Sequence, residues 1–235
     1  MTKAFLFDLN GTMIDDMDFH TDAWHDVLNN DLGGNLSRQQ VKMEMYGKGE
    51  EMLVRVFGEG RFEEKEMNEI VFEKEKKYQD AFRPHLQLIK GLGSFLEKSH
   101  KQGIKMAIGS AAIMFNIDYV LDGLNIREYF PVTISADHVE KSKPDAETFM
   151  KGAEGLGVKP ENCIVFEDNP KGVQSALNAG MKAVVITTMH EEHEFEGLPN
   201  ILKFIKDYDD PFLDELLKGS DVIISFLKVW NFWKV

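Results

Sequence analysis

The segment from Phe5 to Asp15, FLFDLNGTMID, combines an apolar run with side chains that could do chemistry. Asp8 closes the apolar run, and Asn10 follows two residues later, where a second carboxylate would complete an acid–base pair. A carboxylate in such a place can attack phosphorus and form an aspartyl phosphate. An amide can hydrogen-bond but cannot exchange a proton near pH 7. The segment therefore indicates nucleophilic chemistry in which a proton-transfer group is missing.

Polar side chains also follow three other apolar runs of the sequence. Ser110 ends KMAIGS, Lys143-Pro144 follows VTIS after a loop, and Glu167-Asp168 ends CIVFED. One such residue is commonly a turn or helix-cap residue. Because the carboxyl ends of parallel strands lie at the same edge of a sheet, we expect the whole set to converge on Asp8. Adjacent carboxylates repel each other, so stability does not explain the set and function does.

The chemistry that fits this set is phosphoryl transfer. Asp8 and Asp168, with the main-chain carbonyl of Asn10, offer the hard oxygen ligands that Mg²⁺ prefers. The cation would offset the repulsion between an anionic nucleophile and an anionic phosphate. Lys143 would neutralise the same carboxylates, and Ser110 with nearby amides would hold the transferring oxygens. We therefore expect Asp8 to be the nucleophile and Mg²⁺ to be the cofactor.

Strand and helix patterns alternate over most of the chain. Apolar runs without polar alternation, typical of strands buried on both faces, are Lys3–Phe7, Lys105–Ser110, Val132–Ser135, Cys163–Asp168 and Lys182–Thr188. The helical patterns between them are Leu92–Lys101, Ile113–Leu124, Ala146–Leu156 and Lys171–Ala179. This alternation predicts an α/β fold with a parallel sheet and right-handed crossovers.

Residues 16–82 break the alternation with a series of helical patterns and no strand. These patterns are Asp18–Asn30, Ser37–Met45, Glu50–Phe57 and Glu63–Asp80. We predict a helical cap inserted into a core that comprises residues 1–15 and 83–219. A segment that leaves and returns at the active edge of the sheet can act as a lid. The charged stretch Lys65–Lys77 is predicted to be a solvated helix face.

The composition is that of a globular protein and argues against two classes of partner. The chain has 235 residues, 43% of them hydrophobic, and a formal net charge of −13. Nucleic-acid binding requires clustered Lys and Arg, so nucleic acid is not an expected partner. No apolar run approaches the ~20 residues needed to span a bilayer, and MTKAFLFD does not have the pattern of a signal peptide. We expect a cytoplasmic monomer or weak dimer, with a helical apolar tail over residues 220–235.

The motifs resemble those of the haloacid dehalogenase superfamily, in its branch of β-phosphoglucomutase and sugar-phosphate phosphatases. The resemblance covers about residues 3–188, and besides the strand-end residues above it rests on DLNGT, SKPDAETF, VFEDNPKGVQSALNAGM and the cap residues His20, Ala23 and Trp24. It implies a Rossmann-like, doubly wound parallel core with an inserted α-helical cap. It also implies a Mg²⁺-dependent phosphohydrolase or phosphotransferase for a small phosphorylated metabolite, such as a sugar phosphate.

The resemblance assigns roles to particular residues of this chain. The implied catalytic positions are Asp8, Asn10, Ser110 and Lys143. The implied substrate-binding positions are His20, Lys48, Ala111 and Asn169. The implied metal ligands are Asp8, Asn10, Glu167 and Asp168.

The chain departs from the family pattern in ways that bear on activity. The family's phosphotransferases carry an acid where this chain has Asn10, and loss of a general acid–base typically costs on the order of 10²–10⁴ in rate. Its mutases grip a phosphate with a cap Arg, where this chain offers Lys48, a point charge without a bidentate fork. The run Ala111–Met114 also replaces polar residues of the mutases.

Three functions fit these observations. The first is a phosphatase weakened by Asn10, the second is a β-phosphoglucomutase-like mutase, and the third is a catalytically impaired homologue that binds metal and phosphate. Because an amide nearly matches a carboxylate in shape, Asn10 in place of the family's acid is expected to leave the fold and the metal site intact, and its substitution is expected to affect turnover. Asn10→Asp is expected to raise the turnover of ordinary phosphate esters by on the order of 10²–10⁴.

Overall fold

The computed structural model describes residues 2–218, and a six-stranded parallel sheet forms its centre. The strands are β1 (Ala4–Phe7), β2 (Lys105–Gly109), β3 (Val132–Ile134), β4 (Cys163–Glu167), β5 (Lys182–Ile186) and β6 (Ile201–Ile205). They lie in the order β3-β2-β1-β4-β5-β6. Strand β1 therefore pairs with β2 on one side and β4 on the other. Ligands of such sheets bind at this reversal of strand order, beyond the carboxyl end of β1.

The helices form two groups along the chain. Those between β1 and β2 are α1 (Met17–Asp26), which continues as a π-helical segment (Val27–Asp31), α2 (Arg38–Glu44), α3 (Gly49–Phe57) and α4 (Glu64–Phe82). Those that follow are α5 (Leu92–Lys101), α6 (Met114–Gly123), α7 (Glu147–Leu156), α8 (Pro170–Asn178) and α9 (Pro211–Leu217). The first group is the helical cap, and the second packs on the sheet.

The sheet is buried on both faces, which explains its uninterrupted apolar strands. All four residues of β1 are fully buried, and their side chains alternate between the faces. Phe5 and Phe7 pack in the cluster that includes α5, α6 and α9, whereas Ala4 and Leu6 pack in the cluster that includes α7 and α8. Each buried Phe or Leu contributes roughly 1.5–3 kcal/mol through the hydrophobic effect. The packing therefore holds the end of β1 firmly at the centre of the sheet.

The cap helices have a smaller apolar cluster of their own. Its buried members are Trp24, Val27, Leu28, Val41, Met52, Leu53, Phe62 and Val71. Helix α2 begins with a capping box in which Ser37 and Gln40 satisfy each other's main-chain N–H groups. The predicted cap helices are confirmed, with boundaries that differ by a few residues. The domain division at residues 16–82 stays a prediction.

The five predicted strands and the helices between them are confirmed, but the sheet has one more strand than predicted. Strand β6 lies at the edge of the sheet, and only Ile205 among its residues is fully buried. An edge strand that is half exposed lacks the continuous apolar run on which the strand predictions depended. None of the described helices is long and apolar enough to cross a membrane. The predicted apolar tail at 220–235 lies outside the described residues.

The prediction that Lys65–Lys77 is a solvated helix face is wrong for the second half of α4. Lys74 and Glu75 are buried there, in a stripe that also contains Val71, Tyr78, Gln79 and Phe82. Positions three and four residues apart lie on one face of a helix, so the stripe repeats with the helical period. Because Lys74 and Glu75 are charged residues, the sequence pattern did not reveal that this face of α4 points inward.

Candidate active site

The ends of three adjacent strands bring polar side chains together beyond the sheet. Asp8 follows β1, Ser110 follows β2, and Glu167-Asp168 closes β4. The loop after β3 carries Lys143 into the same place, and all these side chains are buried and line one pocket. The Lys143 ammonium donates to Asp8 Oδ1 and Glu167 Oε1, each at 2.7 Å. The structure therefore places the predicted strand-end residues in a single site.

The site holds more negative than positive charge. Three buried carboxylates, Asp8, Glu167 and Asp168, surround one ammonium, that of Lys143. Burial raises the pKa of Asp8 to about 6, although Lys143 opposes that rise. Burial and the charges of Glu167 and Asp8 raise the pKa of Asp168 well above its usual value. Burial alone would lower the pKa of Lys143, but the two carboxylates outweigh it and raise that pKa.

The carboxylate oxygens of Glu167 are hydrogen-bonded to groups of the protein, so they are less available to a ligand in the pocket. Its Oε2 accepts hydrogen bonds from the N–H groups of Asp168 at 2.9 Å and Asn169 at 2.8 Å. A Cβ atom at Gly172, in the first turns of α8, would stand 1.7 Å from Glu167 Oε1, so the helix approaches this carboxylate only because residue 172 is glycine. With Lys143 on Oε1, Glu167 is held as an orienting group, and among the predicted metal ligands it is the least free.

The donor set fits a divalent cation such as Mg²⁺. Asp8 shares the Lys143 ammonium with Glu167, and Asp168 has no cation of the described residues within salt-bridge distance. Hard oxygen ligands such as these two carboxylates suit this ion. A Cβ atom at residue 11 would stand 2.2 Å from Asp168 Oδ2, so Gly11, with φ of +70°, lets the carboxylate approach the loop after β1. The residues that the structure describes contain no group of three His, Cys, Asp or Glu side chains arranged for a metal. The main-chain carbonyl of Asn10 as a third protein ligand stays a prediction.

The side chain of Asn10 is held by Asp16, a residue that the sequence analysis missed. The Asn10 amide nitrogen donates to Asp16 Oδ2 at 2.6 Å and lies 3.0 Å from His20 Nε2. Asp16 also accepts from the Tyr78 hydroxyl at 2.5 Å and from Gly11 N–H at 3.2 Å. Burial alone would raise the pKa of Asp16, but the hydrogen bonds and charge of His20, with Tyr78 and Asn10, lower it. Asp16 is thus a buried, ionised partner of the amide.

A second buried network, also missed from sequence, faces the pocket from α4. The Lys74 ammonium lies 2.6 Å from His20 Nδ1 and donates to Glu75 Oε1 at 2.9 Å. Asn116 of α6 donates to Glu75 Oε2 at 2.6 Å. Burial lowers the pKa of Lys74. Burial alone would raise the pKa of Glu75, but Lys74, His20 and Asn116 together lower it. The helical period of the stripe from Val71 to Phe82 is the signal that would have revealed these residues.

The four predicted substrate-binding residues all line the pocket, and three of them have protein partners. His20 stacks on Tyr78 with ring centroids 3.7 Å apart. Lys48 donates to the main-chain carbonyl of Val139 at 2.6 Å and so joins the cap to the core. The Asn169 side chain accepts from Lys171 N–H at the start of α8. Ala111 presents no polar side chain, so only its main chain can bind a ligand.

The pocket has a polar floor and a partly apolar roof. The floor is the carboxylate cluster, and the roof contains Trp24, Met45, Tyr46 and Met52 from the cap. Its volume is about 150 Å³. A pocket of this size between cap and core suits a small ligand.

Comparisons with known proteins agree with this fold. Residues 5–186 match the family model of haloacid dehalogenase-like hydrolases. Fructose-1-phosphate phosphatase YqaB of Escherichia coli K12 is 29% identical over 184 residues, covering 77% of this chain and 94% of that protein. Beta-phosphoglucomutase of Bacillus subtilis is 29% identical over 196 residues, covering 77% of this chain and 82% of that protein. A family IA haloacid dehalogenase hydrolase from Entamoeba histolytica has the same fold, with a TM-score of 0.80, 24% identity, and coverage of 93% of this chain and 100% of the other. The matched family model, which spans most of the chain, shows that the protein belongs to the haloacid dehalogenase-like hydrolases.

Proposed function

We propose that the protein is a Mg²⁺-dependent phosphatase that hydrolyses a small sugar phosphate through an aspartyl phosphate on Asp8. The observation that carries this proposal is the buried Asp8 carboxylate, held by Lys143 at 2.7 Å and facing a pocket roofed by the cap. The similarity to fructose-1-phosphate phosphatase YqaB supports a sugar phosphate as the substrate class. Asp8, Ser110, Lys143 and Asp168 carry the proposed roles.

In the proposed reaction, a carboxylate oxygen of Asp8 attacks phosphorus and the sugar leaves as an alcohol after taking a proton. Water then attacks the aspartyl phosphate, which releases inorganic phosphate and returns Asp8 to its starting state. Lys143 keeps Asp8 in position, and Ser110 with neighbouring main-chain amides holds the transferring oxygens. When bound, Mg²⁺ supplies positive charge that lowers the repulsion between the carboxylate and the phosphate. Asp8, Asp168 and the carbonyl of Asn10 would hold it.

The proposed reaction requires a donor for the proton that the departing alcohol takes, and residue 10 does not provide one. Asn10 cannot supply it, so an ester with a poor leaving group should react slowly and one with a good leaving group much faster. A general acid is worth on the order of 10²–10⁴ in rate. His20, which lies 3.0 Å from the Asn10 amide, is the candidate for a substitute donor.

Two observations bear on the alternatives. Lys48, the cap residue nearest to a phosphate-gripping position, donates to the Val139 carbonyl, which argues against a mutase that must hold a second phosphate. Asn10 favours one further alternative, a homologue that binds Mg²⁺ and phosphate with little turnover. The phosphatase and the binding homologue predict different turnover rates on the same phosphate esters.

The test is a screen of small phosphorylated metabolites with and without Mg²⁺, using wild type and Asp8→Asn. We expect Mg²⁺-dependent release of phosphate from sugar phosphates in wild type and none above background in Asp8→Asn. The exposed acid Asp80, 80% exposed at its side chain, provides the control variant Asp80→Asn, which should match wild type. Phosphate and Mg²⁺ binding by wild type without turnover of any ester would support the binding homologue and reject the phosphatase. Equal turnover by Asp8→Asn would reject Asp8 as the nucleophile.

A further inference from the structure

Asp16 is a buried carboxylate beside the candidate active site, and the reaction proposed above does not use it. It is 0% exposed and follows the loop after β1. Its Oδ2 accepts from the Asn10 amide at 2.6 Å and the Tyr78 hydroxyl at 2.5 Å, and its Oδ1 accepts from Gly11 N–H. A buried charge is tolerated when hydrogen bonds surround it in this way.

This carboxylate decides which way the Asn10 amide points. An ionised carboxylate only accepts hydrogen bonds, so it must face the nitrogen of the amide and not the oxygen. The same nitrogen lies 3.0 Å from His20 Nε2, and that atom lies 3.4 Å from Asp16 Oδ2. Both Asn10 and His20 line the pocket, together with Asp8. Asp16 therefore orients two of the side chains that line the pocket.

A carboxylate at residue 10 would meet Asp16 at close range. If oxygen replaced the amide nitrogen, two carboxylate oxygens would stand where the 2.6 Å hydrogen bond is now. Like charges at such a distance in a buried place disfavour each other's ionised form. The expectation that Asn10→Asp by itself raises turnover therefore depends on Asp16, because the new acid would share the contact with a second buried carboxylate.

We propose that Asn10 and Asp16 form a matched amide–acid pair, in which Asp16 is a positioning residue that holds Asn10 and His20 towards the pocket. The effect on turnover rests on the proposed phosphatase function, whereas the pairing itself does not. Exchanging the residue types, with Asn10→Asp and Asp16→Asn in one chain, keeps one acid and one amide at the contact. The exchange also places an acid at residue 10 without a second buried charge.

The test is a double-mutant cycle of wild type, Asn10→Asp, Asp16→Asn and the exchanged protein, measured by thermal unfolding and by steady-state kinetics. We expect both single variants to melt below wild type, and the exchanged protein to regain at least half of the loss in melting temperature caused by Asn10→Asp. For Asp16→Asn we expect kcat to fall roughly 10- to 100-fold through misplacement of Asn10 and His20. Its KM should change little, since the groups that hold phosphate are untouched. The exchanged protein should turn over ordinary esters at least about 10² times faster than Asn10→Asp.

The matched control is the neighbouring acid Asp15, which is exposed. Asp15→Asn removes one negative charge from the same loop, so Asn10→Asp combined with Asp15→Asn should regain none of the lost melting temperature. Equal recovery with either partner would show a general charge effect and overturn the pairing.

Two further outcomes would also overturn the proposal. One is an Asn10→Asp protein that melts at the wild-type temperature, and the other is an exchanged protein whose shift in melting temperature equals the sum of the two single shifts. If wild type hydrolyses no ester, the phosphatase proposal fails, and the thermal cycle still decides whether the pair exists. If wild type is active and the cycle is additive, the pair is rejected and the phosphatase proposal stands.

Discussion

At the scale of single residues, the candidate site is defined by charge that the protein itself does not neutralise. Lys143 contacts Asp8 and Glu167, and Asp168 has no cation of the described chain within salt-bridge distance. Asp168 instead accepts a hydrogen bond from the Thr12 hydroxyl at 3.3 Å. Substitutions at Lys143 and Asp168 should therefore have different consequences, because one removes the compensating charge and the other removes part of the excess.

Lys143→Met should destabilise the metal-free protein and weaken its binding of phosphate. Removal of the ammonium leaves Asp8 and Glu167 buried without a cation, and breaking a buried ion pair in this way costs about 3–5 kcal/mol. Urea unfolding in the presence of a chelator measures the free energy of unfolding, and vanadate or phosphate titration measures binding. The control is Lys141→Met, since Lys141 is 73% exposed and should contribute at most about 0.5 kcal/mol. Wild-type binding of vanadate by Lys143→Met would remove this lysine from the site.

Asp168→Asn should lower the affinity for Mg²⁺ without unfolding the protein. The amide keeps the shape of the side chain and removes one of three clustered carboxylates, so the metal-free fold gains no unpaired charge. A supporting residue outside the ligand set typically changes metal affinity 10- to 100-fold, and a direct ligand should reach at least about tenfold. Calorimetric titration with Mg²⁺ is the measurement, and Asp80→Asn again serves as the exposed control. Equal affinities of wild type and Asp168→Asn would exclude Asp168 as a ligand.

At the scale of elements, α4 links the cap to the site through a buried polar stripe. Tyr78 reaches Asp16, Gln79 donates to Asn116 of α6 at 2.8 Å, and Lys74 lies against His20. Each charged group in the stripe has a partner on another element. The helix therefore positions the pocket wall as well as packing against α1, and its polar contacts should be measurable in stability.

Tyr78→Phe should lower the free energy of unfolding by about 1.5–3 kcal/mol, the usual value of a hydrogen bond to a charged group. The phenyl ring can still stack on His20, so the loss reports the bond from the hydroxyl to Asp16. Tyr119→Phe is the matched control, since the Tyr119 hydroxyl is buried with no hydrogen-bond partner among the described residues. That substitution should be neutral or stabilising by urea denaturation. A loss of similar size in both variants would show that the contact with Asp16 has no special value.

At the scale of the whole molecule, hydrogen bonds close the cap over the core around the pocket. Lys48 donates to the Val139 carbonyl, Ser142 donates to Glu51 at 2.8 Å, and Lys42 donates to the Met189 carbonyl at 3.3 Å. All three join α2, α3 or the segment between them to loops of the core. The cap and the sheet edge thus enclose the pocket, while the sheet itself provides the rigid base.

The reactivity of the single cysteine of the chain reports whether the sheet is intact. Cys163 begins β4, is 2% exposed, and burial raises its pKa to about 11. A raised thiol pKa keeps the group neutral at pH 8, and thiols react with disulfide reagents as thiolates. We expect negligible labelling of the native protein with an aromatic disulfide at pH 8, and one thiol per chain in urea. Ser94→Cys, at an exposed position on α5, should label one thiol rapidly in the native state. Rapid labelling of native wild type would mean that β4 opens readily.

Local sequence patterns were enough to predict five of the six strands, the helices between them and the strand-end chemistry. Strands buried on both faces are continuous apolar runs, helices have a period of 3.6 residues, and both patterns are local. Once a parallel sheet is predicted, its topology places Asp8, Ser110 and Asp168 at one edge without further information. The chain pattern was therefore sufficient for the fold class and for the position of the pocket floor.

The residues that hold the pocket wall could be identified only from the folded chain. The contact between Tyr78 and Asp16 joins residues 62 positions apart, and the one between Lys74 and His20 joins residues 54 positions apart. No local pattern encodes such pairings, because they depend on how α1 and α4 pack on each other. In a chain with a net charge of −13, Lys74 and Glu75 resemble surface residues until the packing buries them. Sequence spacing does not reveal the role of Asn10 either, because only folding brings its acidic partner Asp16 into contact with it.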